Sequence, residues 1–263
     1  FEGCYGIFGN TTPTKGWMCF RGSMVHNYEL EQGRNLIEAV EETSKQGTLK
    51  HFIFSSICKA KDPLIRVTAP GHFLNKWNIE EFIEMKGLKG ITTILRPVSY
   101  FENFYSNIPG LQISNYAFPG VVKSNKPWQT IAVDDIGLWA AAAFNNPRRF
   151  LNKQINLAGE EMTGEEMADL LHSLRNREGE RIPYFMIPRV VMKLIEHDIA
   201  IMANWIESAG YGADIKRLKM LANEIGINMT PLSLWLKGRA LKNKIDGDPK
   251  SLSLGLATLE TVT

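Results

Sequence analysis

Four side chains in this sequence combine types and spacings that could do chemistry: Ser55, Ser56, His72 and Lys76. A hydroxyl, an imidazole and an ammonium brought together make a polar site where a ligand can be hydrogen-bonded and a proton passed. Ser55 and Ser56 close the apolar run His51-Phe52-Ile53-Phe54, which reads as a buried strand. In an open α/β sheet, ligands bind just beyond the carboxyl ends of the strands, so the two serines are expected at the mouth of a crevice. His72 and Lys76 are four residues apart and share one face of the helix expected to begin near His72. The plainer reading of the same residues, a buried strand followed by an ordinary surface helix, stays open beside it.

The elements that must position these side chains can be read on either side. Cys4 to Phe8 reads as a short buried strand that ends at the polar Asn10-Thr11-Thr12. Tyr28 to Gln46 carries Leu30, Gly33, Ile37 and Val40 on one helical face, with Glu38, Glu41, Glu42 and Lys45 largely on the other. Gly33 costs about 1 kcal/mol against Ala in a helix interior, so it marks close packing, expected against the sheet. Phe73 to Met85 reads as a helix with Ile79, Phe82 and Ile83 inward, and Ile91 to Leu95 as a strand closed by Arg96-Pro97. Two strand–helix units in series predict an α/β fold with a doubly wound parallel sheet.

Gly3, Gly6 and Gly9 match a dinucleotide phosphate-loop pattern. That loop needs a strand before it and a helix directly after it. The Gly- and Pro-rich stretch that follows meets neither need, so the match reads as accidental.

Further along, Val98 to Pro119 is expected to be a loop or short helix carrying Tyr100, Phe101, Asn103, Phe104 and Tyr105. Those aromatics could wall a pocket, but such a cluster is more often plain core. A strand follows Trp128, and Asp134 or Asp135 is expected to cap the next helix. Gln154 to Ala158 reads as a strand and Thr163-x-x-Glu166 as a capping box. One long helix is expected from Pro188 to just before Gly210, and a last one from Thr230-Pro231.

Composition limits the classes. The 263 residues are 44% hydrophobic and 22% charged, which suits a globular protein with a sizeable core. A net charge of +2 argues against direct nucleic-acid binding and against a membrane-surface patch. No apolar run approaches the ~20 residues of a membrane span. The three cysteines, Cys4, Cys19 and Cys58, lack metal-ligand spacing and read as free thiols of a reducing compartment. The chain begins with Phe1, which leads to the expectation of a processed or truncated product.

Taken in order, several segments resemble the NmrA-like proteins, atypical relatives of the short-chain dehydrogenases/reductases. They are GCYGIFGNT, LEQGRNLIEAV, KHFIFSS, GHFLNKWNIEEFI, ILRPVSYFENF, IAVDDIGLWAAAAF and INLAGEEMTGEEMADLL. The later WIESAGYGADIKRL and LSLWL are similar to the C-terminal lobe of fungal members, and the match covers about residues 1–240. The resemblance implies a Rossmann-like sheet with a smaller C-terminal α/β lobe. Residues 1–115 would belong to the dinucleotide-binding domain, 116–245 to the lobe partly interleaved with the sheet, and 246–263 to a disordered tail. The match begins at what resembles the family's fourth strand. The first three strands, and with them the Gly-rich phosphate loop, are therefore expected to be missing from this chain.

The resemblance also implies roles. Asn10, Thr11 and Thr12 would line NADP or NAD beyond the first strand present, and Ser55 and Ser56 beyond the next, with Ser55 at the place of the catalytic serine. Lys76 stands where the relatives keep the lysine of Tyr-x-x-x-Lys, and His72 occupies the tyrosine place. Pro97, Tyr100 and Asn103 would belong to the loop over the nicotinamide. A lysine ammonium beside a histidine pushes it toward its neutral form, which donates a proton weakly. The leading expectation is therefore an NAD(P)-binding regulator and redox sensor that controls transcription through a protein partner such as a transcription factor. It would have little or no dehydrogenase activity and would lie in the cytoplasm, with the nucleus as a second expected place. An NAD(P)H-dependent oxidoreductase acting on a small carbonyl or aromatic substrate is the rival, and a fragment without cofactor function is the third reading.

Overall fold

The computed structural model describes residues 1, 3–12, 22–60, 68–105, 118–174, 181–195 and 197–245. The tail expected at 246–263 lies outside the described residues, as does Cys19. In chain order the elements begin with strand β1 (Gly6–Asn10), helix α1 (Gly22–Lys45), β2 (His51–Ser55), α2 (Gly71–Met85) and β3 (Thr92–Pro97). There follow β4 (Ser99–Tyr100), β5 (Phe118–Gly120), β6 (Trp128–Ile131), α3 (Val133–Asn145), α4 (Pro147–Phe150), β7 (Lys153–Leu157) and β8 (Glu160–Met162). The chain continues through α5 (Gly164–Leu174), β9 (Tyr184–Met186), α6 (Arg189–Ile195), α7 (His197–Ser208), α8 (Ile215–Glu224) and α9 (Leu232–Ile245).

The main sheet has the order β1-β2-β3-β7, and every pair in it is parallel. Asn10 lies beside Ser55, and Ser55 beside Leu95, so β1 and β2 end level and β3 runs two residues further. Because strand side chains alternate between faces, β2 divides its apolar residues. Phe52 and Phe54 pack with Ile37, Val40, Ile79 and Ile83 of α1 and α2. Ile53 joins the larger core that includes Trp139 and Ala143 of α3. Helices thus cover both faces, as the doubly wound reading requires.

The glycines of β1 serve this packing. A Cβ on Gly6 would lie 2.5 Å from the Phe144 ring, and one on Gly9 would lie 2.7 Å from Leu36. Both positions need glycine for close approach of neighbouring side chains, with no phosphate required. The other glycine expectation is corrected: Gly33 faces α2 rather than the sheet. Its Cβ would sit 2.3 Å from Ile79 Cδ1, so it is the helix–helix contact of α1 and α2 that excludes a side chain there.

Two further sheets follow. In one, β6 pairs with β4 in parallel and with β8 antiparallel; the other joins β5 and β9. Aromatic rings join α2 to the later helices. Phe73 of α2 meets Trp205 of α7 edge-on at 5.2 Å, and Trp205 meets Tyr211 at 5.5 Å. The helix that carries His72 and Lys76 is therefore clamped between β2 and α7.

Local signals fared unevenly. The capping box forms, with Thr163 N–H donating to Glu166 Oε2 at 2.7 Å and Glu166 N–H donating to Thr163 Oγ1 at 3.2 Å. Neither Asp134 nor Asp135 caps α3, which starts one residue before them. Glu102 accepts from the Val133 N–H instead, at 3.1 Å. Asp135 is buried and accepts from the N–H and hydroxyl of Thr230, both at 2.8 Å. The helix expected from Pro188 onward is two helices folded back on each other. Arg189 bonds Asn204 at 2.9 Å and pairs with Glu207, 18 residues away. On one straight helix those residues would stand about 27 Å apart.

Candidate functional site

The level ends of β1 and β2 bring Asn10, Thr11 and Thr12, at and just past the end of β1, beside Ser55 and Ser56, at and just past the end of β2. The register of β1 on β2 sets this arrangement. Asn10 and Thr12 are exposed, while Thr11 is buried. Across them lies α2, which starts after Pro70, whose missing N–H and fixed φ suit a helix start. From its second turn Lys76 reaches back under the edge. Its Nζ donates to Asn10 Oδ1 at 2.8 Å, to the Thr11 carbonyl at 2.5 Å and to the Ser55 carbonyl at 3.3 Å. The Phe54 ring lies 5.5 Å away, a cation–π contact. Burial pushes the Lys76 ammonium down to about 8, and the negative charge of Glu29 opposes that shift. Asn10, Thr11, Ser55 and Lys76 are thus brought together as one constellation.

Ser56 points away from that constellation. Its hydroxyl donates to Glu80 Oε1 at 2.5 Å, and Glu80 also accepts from Arg96 through Nε at 2.8 Å and Nη2 at 2.6 Å. Lys59 completes the cluster at 2.8 Å. Burial alone would raise the Glu80 carboxyl, but the Arg96 fork and the Lys59 charge outweigh it and hold the group below its ordinary range. Trp77 Nε1 donates to the Ile57 carbonyl at 3.3 Å, which fixes the chain just after the serines.

His72 is turned toward α7. Its Nδ1 lies 3.4 Å from Asp198 Oδ2 of α7, and its ring meets Phe73 edge-on at 4.7 Å. The charged group it meets is therefore a carboxylate, while the Lys76 ammonium turns to the strand ends. Pro97 ends β3, and its carbonyl accepts from the Cys58 N–H at 2.9 Å. Tyr100, on β4 beside β6, is half-buried, and burial together with the Glu102 charge pushes its phenol up to about 12. Asn103 is half-buried in the short 3-10 turn Phe101–Tyr105 that follows.

Sequence reasoning missed three participants. Glu80 was within reach, because His72, Lys76 and Glu80 repeat at four-residue spacing and share one helix face. Arg96 had a weaker signal as a lone charge closing an apolar strand. Glu29 had none, for it falls in a helix with several other glutamates and only its depth singles it out. Among the described residues no cluster of His, Cys, Asp or Glu could hold a metal ion, and no helix is long and apolar enough to cross a membrane.

Comparison with known proteins matches residues 1–235 to the model of the NmrA-like family. Among solved structures the fold is similar to NmrA, a negative transcriptional regulator, at 17% identity with a TM-score of 0.69. That match covers 97% of this chain and 79% of the other. A triphenylmethane reductase from Citrobacter sp., complexed with NADP(H), matches at 17% identity and a TM-score of 0.63, covering 89% and 76%. An NADPH-dependent quinone oxidoreductase from Escherichia coli matches at 18% identity and a TM-score of 0.60, covering 88% and 75%. At these identities the likeness is one of fold.

Proposed function

Because this chain belongs to the NmrA-like family, we propose that it is a dinucleotide-responsive regulator. It takes NADP or NAD at the carboxyl edge of β1, β2 and β3, acts through a protein partner such as a transcription factor, and has little or no dehydrogenase activity. The observation that carries this reading is the side chain one turn before Lys76. There His72 sits against Asp198 in the place of the relatives' tyrosine, and burial makes the Tyr100 phenol a weaker acid than usual. Carbonyl reduction needs a group that delivers a proton at the hydride acceptor. Cofactor class is supported by one of the similar folds, the regulator NmrA, whose structures include complexes with NADP and with NAD.

In this reading Asn10, Thr11, Thr12, Ser55 and Lys76 touch the nicotinamide half of the ligand, and Ser56 shapes the edge through Glu80. Pro97, Tyr100 and Asn103 form the covering segment. Residues 1–115 carry the ligand side, and residues 116–245 form the lobe that reports occupancy to the partner.

The second reading, an NAD(P)H-dependent reductase, is favoured by the same His72–Asp198 contact. A carboxylate beside Nδ1 can orient an imidazole so that its other nitrogen serves as proton donor. Turnover separates the two. With NADPH and test aldehydes, ketones and quinones, the protein is expected to show no oxidation above background. His72→Tyr should raise it by about tenfold or more, a threshold set below the roughly 10²–10⁴-fold that a well positioned acid contributes. Robust turnover in the unaltered protein, abolished by Lys76→Ala, would establish the reductase.

A further inference from the structure

Lys76 is more completely engaged than a residue left free for a ligand. An ammonium has three protons to donate. Here they meet Asn10 Oδ1, the Thr11 carbonyl and the Ser55 carbonyl, and the carboxylate of Glu29 lies 3.6 Å away. Glu29 reaches this point from α1 and is wholly buried. It accepts from Thr11 Oγ1 at 3.1 Å and from Asn75 Nδ2 at 3.5 Å. A carboxylate taken out of water needs a cation and hydrogen bonds, and Glu29 has both.

We propose that Glu29 is the positioning residue of the site: it keeps Lys76 an ammonium and draws it onto the edge of β1 and β2, leaving Asn10 as the acceptor that a ligand oxygen displaces. The role toward a ligand rests on the dinucleotide reading; the hold on Lys76 does not. Two of the three acceptors are backbone carbonyls fixed by the sheet, while Asn10 is exposed and its side chain can rotate away. Of the groups facing Lys76, Asn10, Thr11, Ser55 and Phe54 do not titrate. On its own helix, His72 is paired with Asp198, and Glu80 is held by Arg96 and Lys59. Among the described residues this leaves Glu29 as the carboxylate that opposes the burial of the amine, in keeping with the direction of its effect on Lys76.

The test follows the Lys76 side-chain carbon next to the amine by NMR in lysine-labelled protein, with Lys76→Met for assignment. The unaltered protein should titrate near pH 8. Glu29→Gln should move the midpoint down by about one unit or more, and Glu29→Asp should restore most of it. A midpoint unmoved by Glu29→Gln overturns the proposal. If that variant does not fold, the unaltered protein still decides. The Glu29 carboxyl carbon should shift through the same transition as Lys76, and a flat trace from pH 6 to 10 overturns the proposal.

Adding NADP separates the two claims. Glu29→Gln should weaken binding about fivefold or more at pH 8 relative to pH 6, because only the neutral amine loses the ligand. Equal weakening at both values overturns the ligand role. No binding by the unaltered protein overturns the dinucleotide reading and the ligand role with it, while the titration alone decides the hold on Lys76.

Discussion

Replacing Glu80 with alanine is expected to cost about 3–5 kcal/mol of folding stability, the range for breaking a buried ion pair from one side. The carboxylate is 4% exposed and its main partner, the Arg96 side chain, 11%. Alanine leaves that guanidinium without its two-pronged acceptor and Ser56 without the oxygen its hydroxyl serves. Lys59 is more exposed and can turn to water, so it adds little. The comparison that isolates the cause is a double substitution, Glu80→Leu with Arg96→Met. With both charges gone and volume kept, most of the loss should return. Urea denaturation reads both, with unchanged denaturant slope as the sign that the folded state is intact. A cost under about 1 kcal/mol for Glu80→Ala would mean that water reaches the pair.

The second large effect lies at alkaline pH. Burial pushes Lys76 down to about 8, and pushes Cys58 and Tyr100 each up to about 12. Burial also raises the phenols of Tyr184 and Tyr211. In the unfolded chain these types titrate near about 10.4, 8.5 and 10. Stability rises with pH wherever the unfolded chain holds more protons than the folded one, and falls where it holds fewer.

From about pH 8, Lys76 has lost its proton in the fold and keeps it when unfolded, so its contribution rises. Beyond about 8.5 Cys58 does the reverse, and the two nearly cancel up to about 10. Above that, the fold retains the protons of Cys58 and three tyrosines, and Lys76 no longer offsets them. Three to four protons at 1.36 kcal/mol per unit give a loss of about 4–5 kcal/mol per pH unit. That is comparable with the whole stability of a typical domain, about 5–15 kcal/mol. A level profile from pH 8 to 10 followed by collapse by about pH 12 is expected, and Tyr211→Phe should make the fall shallower by about one proton. A profile still level at pH 11.5 would show that the phenols ionise freely in the fold.

Those two effects rest on contacts that differ in how far sequence reveals them. The sheet was legible because its signals are local. An apolar run ending at Ser55-Ser56, helical periodicity on either side and a capping box at Thr163 each declare themselves within a few residues. The residues of the constellation were legible for the same reason, since Asn10, Thr11 and Ser55 close strands and Lys76 shares a helix face with His72 by spacing. Their partners were not. Asp198 is 126 residues from His72, and Asn75 meets Glu29 across 46 residues. No pattern distinguishes Glu29 from the outward-facing glutamates of α1. The fold-back between α6 and α7 was hidden too, because Pro188 to Ser208 carries a continuous helical pattern and it is the pairing of Arg189 with Asn204 and Glu207 that shows the reversal. The α3 cap was misread because the aspartates sit one residue inside the helix and the cap comes from Glu102, far back in the chain.

The account's central claim is that a dinucleotide seats at the carboxyl edge of β1 and β2 over Lys76. The most direct measurement is a titration of labelled protein with NADP, followed residue by residue through backbone amide shifts. The amides of Thr11, Thr12, Ser55, Ser56 and Ile57 should move together with one dissociation constant, and Lys76→Met should remove the response. Shifts that map elsewhere, or none at those amides with NADP at several millimolar, an affinity weaker than about −4 kcal/mol, would contradict it.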